Sequence, residues 1–170
     1  MKDKIVIGIK LFLVAALSGF ILFGINYITK PIIDENRVKR EEEKYALIFP
    51  EISTYVKIED TGINQITIYD ENNTLLGYIY SSTMNNDYGS VSVLVGINEY
   101  SEIVKVEFAL LNQTPSYASK VNNPEFLGKF IGNSTDEDYS DFDVKVGATY
   151  SATTTRDLVE FISQYHEGVE

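Results

Sequence analysis

The sequence has no cysteine, one histidine, and only 14 Lys and Arg against 25 Asp and Glu. Without cysteine there is no disulfide framework, no thiolate metal site, no iron-sulfur ligation and no catalytic thiol. A cysteine-linked lipid anchor is excluded with them. The lone histidine, His166, stands in "SQYHEGVE" and reads as a solvated helix residue rather than a ligand or general base. Histidine-based nucleophilic triads are therefore not expected. A formal charge of -11 repels polyanions, so no nucleic acid partner is expected, nor an anionic lipid surface bound through charge.

What is present suits one ordinary domain plus a terminal appendage, since 170 residues, 44% of them hydrophobic, allow no more. The appendage is Leu11 to Ile28, "LFLVAALSGFILFGINYI", a run without charge. At ~1.5 Å rise per residue it is near the minimum for a bilayer core. Lys10, just before it, is long enough to snorkel. A cleaved signal peptide would be followed by small residues, whereas "NYITKPIIDENR" follows here, so the segment reads as a retained transmembrane anchor. Tyr27 and Lys30 are expected at the interface, with Pro31 ending the helix. Lys2 and Lys4 favour a cytoplasmic N-terminus, against Lys30, Arg37, Lys39 and Arg40 beyond the span. A short tail before a large domain is the usual anchor arrangement, which gives a single pass through the cytoplasmic membrane, N-terminus inside and domain outside.

Three regions are expected: residues 1–30 as the anchor, 31–62 as a charged helical stalk and lead-in, and 63–170 as the folded domain. In the stalk, "DENRVKREEEKYALIF" is helical in character, and Pro50 stops it. From Ile63 to Leu111 the apolar period changes to two. "INQITIYDENNTLLGYIYSS" predicts two strands around a turn at Glu71 to Thr74. "SVSVLVGI" places Val91, Val93, Val95 and Ile97 on one face, and "IVKVEFALL" does so for Val104, Val106, Phe108 and Leu110. The short "NEYS" between them makes those two strands antiparallel neighbours.

A loop is then expected, followed by a short helix from Pro124 to Phe130. The acidic run "NSTDEDYSDFD" lacks the glycine spacing of a calcium loop and reads as a solvated turn. Leu158, Val159, Phe161, Ile162 and Tyr165 share a helical face, with Thr154 and Asp157 as a capping box at its start. Strands followed by a helix on one sheet face give an α+β domain.

The stretch "KVGATYSATTT", residues 145 to 155, is poor in catalytic groups but rich in hydroxyls. Gly147 and Ala148 allow close backbone approach, and free N–H groups at a helix start attract an anion. Neither a Walker loop nor a dinucleotide fingerprint is present, because the second glycine and the Gly-Lys pair are missing. The residues alone suit either a phosphate site or a threonine-rich capping turn.

"DVKVGAT", Asp143 to Thr149, resembles the flavinylation motif Asp-x-x-(Ser/Thr)-Gly-Ala-Thr of FMN-binding domains, found in the G-type subunit of the Rnf electron-transport complex and the C-type subunit of the sodium-translocating NADH:quinone reductase. "NYITKPIIDEN", "VGINEYSEIVKVEF" and "QTPSYASKVNNPEFLGKFIG" are similar in order to the corresponding stretches of that family. The last of these is similar to its Glu-Thr-Pro-Gly-Leu-Gly-Ala-Lys loop, so the likeness covers nearly the whole chain. Two departures stand out. Val146 replaces a hydroxyl residue of the motif, and in the loop only Thr114, Pro115 and Lys120 are kept, with Gln113 in place of glutamate and Tyr117 in place of leucine.

The resemblance implies an extracytoplasmic FMN-binding domain with an antiparallel sheet and flanking helices. It also implies FMN joined through its phosphate to the hydroxyl of Thr149 by a dedicated flavin transferase. The cofactor-binding residues would then be Thr149, Gly147, Ala148, Asp143, Thr114, Pro115 and Lys120, with Lys120, Lys145 and Arg156 as candidates for contacting the phosphate or the reduced ring. No catalytic base and no metal are implied, because electron transfer needs neither. The chain would be the G-type redox subunit of an ion-translocating oxidoreductase rather than an enzyme on its own, with other membrane subunits as partners. The alternatives are a stand-alone FMN carrier in extracellular electron transfer, or a structural or partner-binding subunit that has lost its flavin.

Overall fold

The computed structural model describes residues 2–60 and 62–169. The chain divides into two compact units, Met1–Glu42 and Glu43–Glu170. The first lies within helix α1 (Lys2–Ile48), which is long and apolar enough to cross a membrane. Large side chains such as Phe12, Phe20 and Leu22 are uncovered, which suits lipid as the surrounding solvent.

Pro31 does not end this helix. The proline removes one amide donor, the one that would bond the Tyr27 carbonyl, at a cost of about 3 kcal/mol. Beyond it the ion pairs Asp34–Arg37 at 3.8 Å and Glu35–Lys39 at 3.0 Å sit at helical spacing, and helix propagation continues. The expected anchor helix and stalk helix are therefore one element.

The second unit is α+β. Five antiparallel strands follow one another in the order β1 (Thr54–Asp60), β2 (Ile63–Tyr69), β3 (Leu75–Asn86), β4 (Gly89–Asn98) and β5 (Ile103–Leu111). The four expected after residue 63 are present. β1 was not expected, and every one of its residues is exposed, so no buried face imposes an alternation on its sequence. The turn after β2 is tied by Asp70, whose Oδ1 accepts from the N–H groups of Asn72 at 2.8 Å and Thr74 at 2.7 Å.

The sheet buries both faces. On one, Val91, Val93, Val95 and Ile97 of β4 share a core with Leu158, Val159 and Ile162 of helix α4 (Thr149–Val169). On the other, Tyr45, Ile48 and Phe49 pack with Ile66, Ile68, Ile79 and Leu94. The alternation expected for β5 is broken by register shifts at Ser92/Val93 and Gly96/Ile97 of its partner. Each shift adds a residue to β5 and moves the following side chain to the opposite face. Val104 thus packs on the second core, Leu110 is exposed, and Ile103 takes the first-core position.

On α4, Phe161 is off the buried stripe and His166 is on it. His166 is fully buried, contrary to the solvated helix residue expected. Its Nδ1 lies 2.9 Å from the Tyr80 hydroxyl and its Nε2 3.1 Å from Ser101 Oγ. The rings of Tyr78 and Tyr80 flank it at 5.4 and 5.5 Å between centroids. With both ring nitrogens matched, the imidazole is a satisfied core group.

Between β5 and α4 run two short helices, α2 (Pro115–Val121) and α3 (Pro124–Leu127), then a 3-10 turn at Tyr139–Asp141. α2 occupies what reads as loop, and α3 is shorter than the helix expected to reach Phe130. Proline at the first position starts each helix, because its missing N–H has no intrahelical partner there.

Candidate functional site

α4 begins at Thr149, inside the hydroxyl-rich stretch rather than after it. Thr154 is therefore no cap. Its Oγ1 donates back to the Tyr150 carbonyl at 2.8 Å. The first turn of a helix leaves N–H groups without intrahelical partners and carries partial positive charge. Thr149 is exposed at that end.

The turn into α4 depends on Gly147, whose φ of +75° is left-handed and strained for a residue with a Cβ. A Cβ there would also lie 3.3 Å from Lys120 Nζ. That lysine, in the last turn of α2, donates to the Gly147 carbonyl at 3.0 Å. Lys120 thus ties α2 to the turn preceding Thr149.

A cavity of about 240 Å3 opens beside Thr149. Gln113, Thr114 and Tyr117 line it from the segment after β5. Gly147, Ala148, Thr149, Tyr150 and Ser151 line it from α4 and its approach, and Tyr88 from the β3–β4 turn. Two separate sequence motifs, "QTPSYASK" and "VGAT", therefore meet at one place. Pro115 starts α2 directly after Thr114.

Asp143, Lys145 and Arg156 do not line this cavity. Asp143 Oδ1 accepts from the Lys145 N–H at 3.0 Å, and its carboxylate lies 3.9 Å from Lys129 Nζ. It shapes the approach to Gly147 from outside. Lys145, with Lys120 and Lys129, lines a second cavity of about 330 Å3. Arg156 donates to the Ser140 carbonyl at 2.7 Å and pairs with Asp157 at 2.8 Å, holding the 3-10 turn against α4. Val146 is half-buried against the core and lines the second cavity rather than the one beside Thr149.

The same 3-10 turn is anchored by Tyr139, whose hydroxyl donates to the Ser134 carbonyl at 2.7 Å. Burial, helped by the nearby Glu137 charge, pushes the phenol pKa up to about 12. Asp138 is held below the usual carboxylate range, first by the Ser140 side chain and then by the Ser140 N–H.

Polar contacts behind the cavity wall were not anticipated. Ser151 Oγ donates to Gln113 Oε1. Gln113 Nε2 donates to Asn86 Oδ1 at 3.0 Å, which also accepts from the Tyr88 N–H at 2.9 Å. Asn86 Nδ2 donates to Thr154 Oγ1 at 3.0 Å. Of these residues Gln113 stands out in the sequence as a departure from the loop it resembles, and Thr154 only as a helix cap. Asn86 and Tyr88 lie in a strand end and turn that carry no motif.

No family model matches the chain. Over 120 residues it is 18% identical to the G subunit of the proton-translocating ferredoxin:NAD(+) oxidoreductase complex of Clostridium ljungdahlii. The chain is a distant relative of that protein. The match covers 71% of this chain and spans only 64% of the relative's length.

Proposed function

We propose that the chain is a membrane-anchored electron-transfer subunit with FMN in phosphodiester linkage to Thr149, as the G-type component of an Rnf-like ferredoxin:NAD oxidoreductase complex. The observation that carries this reading is the convergence of Thr149, Gly147, Ala148 and Thr114 on one cavity at the positive end of α4. The distant relationship to a component of such a complex supports it.

The residues fit the group. The exposed Thr149 hydroxyl is open to a transferase, and the N–H groups of the first turn of α4 favour a phosphate next to it. Attachment requires an activated phosphate. Thr149 Oγ would form the new O–P bond to the flavin phosphate as the phosphoanhydride bond of an activated flavin donor breaks, with the donor's remaining phosphate as leaving group and the hydroxyl proton passing to a base of the transferase. Gly147 and Lys120 hold the turn while Asp143 fixes its approach.

FMN bound there supplies reversible electron acceptance, which no side chain of this protein provides. At about 240 Å3 the cavity is smaller than the ~300–1,000 Å3 typical of ligand pockets. The chain therefore leaves part of the flavin uncovered, which suits contact with a redox partner. The covalent tether prevents loss by dilution outside the cytoplasm, where a reversible cofactor would dissociate. In this reading the domain lies on the outer face with the N-terminus inside, docked with other membrane subunits.

Co-expression with a flavin transferase, followed by fluorescence of the denatured gel band, tests this reading. A fluorescent band that disappears in Thr149→Ala is expected. A dark wild-type band despite an active transferase favours the structural-subunit alternative.

A further inference from the structure

We propose that Tyr88, Tyr117 and Tyr150 form an aromatic seat on which the isoalloxazine ring of the tethered flavin stacks. This rests on Thr149 being the attachment point.

The three tyrosines line the cavity beside Thr149 while remaining 56%, 47% and 58% exposed. Among the described residues of Glu43–Glu170, the only other exposed tyrosines are Tyr55 and Tyr100. Three of the five exposed tyrosines of this unit are thus gathered at one spot. An uncovered aromatic cluster of this kind marks a surface that something else covers.

The chemistry of the occupant follows from the lining. Not one charged side chain lines the cavity, on a chain whose formal charge is -11. A flat, neutral, aromatic body is favoured there, because stacking on phenol faces needs no counter-charge. The phosphate has its own place at the start of α4.

The seat is also preorganised. The rings of Tyr88 and Tyr150 are 5.2 Å apart between centroids and tilted by 55°. Asn86 Oδ1 accepts from the Tyr88 N–H, and Thr154 Oγ1 donates to the Tyr150 carbonyl. Asn86 Nδ2 donates to Thr154 Oγ1 and so joins the two. Across the cavity, Lys120 Nζ lies 5.3 Å over the Tyr117 ring while bonding the Gly147 carbonyl. Backbone held on both sides of the cavity, with the Tyr88 and Tyr150 rings already in contact, reduces the freedom lost on stacking.

The test uses the full chain co-expressed with a flavin transferase and purified in detergent. Flavin loading is read by mass. Emission of the native protein is compared with that of its complete protease digest, because a phenol in contact with an excited flavin quenches it by a brief electron loan that is then returned. A several-fold rise in emission on digestion is expected, with a visible circular dichroism band from the held ring. Tyr88→Leu/Tyr150→Leu, compared per flavin loaded, should emit several-fold more in the native state and lose that band. Full loading with native emission equal to the digest overturns the seat and leaves attachment standing. Absence of flavin from the wild-type chain overturns both.

Discussion

Gln113 Nε2 donates to Asn86 Oδ1 at 3.0 Å while Gln113 Oε1 accepts from Ser151. Asn86 cannot turn its amide over, because Oδ1 also serves the Tyr88 N–H and Nδ2 serves Thr154. Position 113 must therefore donate to Asn86, whichever way the Ser151 hydroxyl turns. A neutral amide does so, and an ionised carboxylate does not. Glutamine, not glutamate, therefore suits the contacts at this position.

Gln113→Glu is expected to destabilise the domain by about 1–3 kcal/mol at neutral pH, the cost of setting two acceptors against each other. Once protonated, the introduced carboxyl regains a donor. Its folded-state pKa is therefore raised, and the penalty shrinks as pH falls through that value. Urea unfolding of wild type and variant at neutral and mildly acidic pH measures the difference. An equal penalty at both would contradict the donor argument.

His166→Leu is expected to cost about 1–3 kcal/mol, because the buried Tyr80 hydroxyl loses its ring-nitrogen partner. The loss lies in the core rather than beside Thr149, so flavin loading of the folded fraction should be unchanged. Thermal unfolding and mass spectrometry of the same samples separate the two effects.

Tyr139 links stability to alkaline pH. Its folded pKa is raised from 10.0 to about 12. The unfolded chain releases the proton first, so this contribution is intact below pH 10 and is lost as pH rises toward 12. Tyr139→Phe should cost about 1 kcal/mol at neutral pH through the lost Ser134 bond. It should also flatten the decline at alkaline pH. Unfolding midpoints across that range are the measurement.

Orientation is open to a direct assay. Alkaline phosphatase fused after residue 170 should be active, and a fusion truncated after the anchor should be active as well. Two inactive fusions with stable expression would place the domain on the cytoplasmic side.

Much of this architecture is legible in the residues. Val91, Val93, Val95 and Ile97 announce a strand because they face the α4 core along the length of β4, while the opposite face of β4, with Leu94, is buried against the second core. β5 is read correctly at Val106 and Phe108 but misread at Val104 and Leu110, because its bulges depend on pairing with β4, which local alternation does not record. Pro31 misleads because proline's local penalty is outweighed by helix on both sides, and His166 because its partners, Tyr80 and Ser101, are distant in sequence. At the site, Thr149 and Thr114 belong to recognisable stretches, and only the fold brings them to one cavity. The lining by Tyr88 and the network through Asn86 come from a strand end and turn that no pattern marks.

The most direct measurement is a tryptic map of protein purified from its native membrane. Residues 146–156, "VGATYSATTTR", form one peptide that contains Thr149. Its mass should exceed that of the bare peptide by FMN less water, with fragmentation placing the addition on Thr149. An unmodified peptide from a colourless preparation would contradict the flavin-carrier reading.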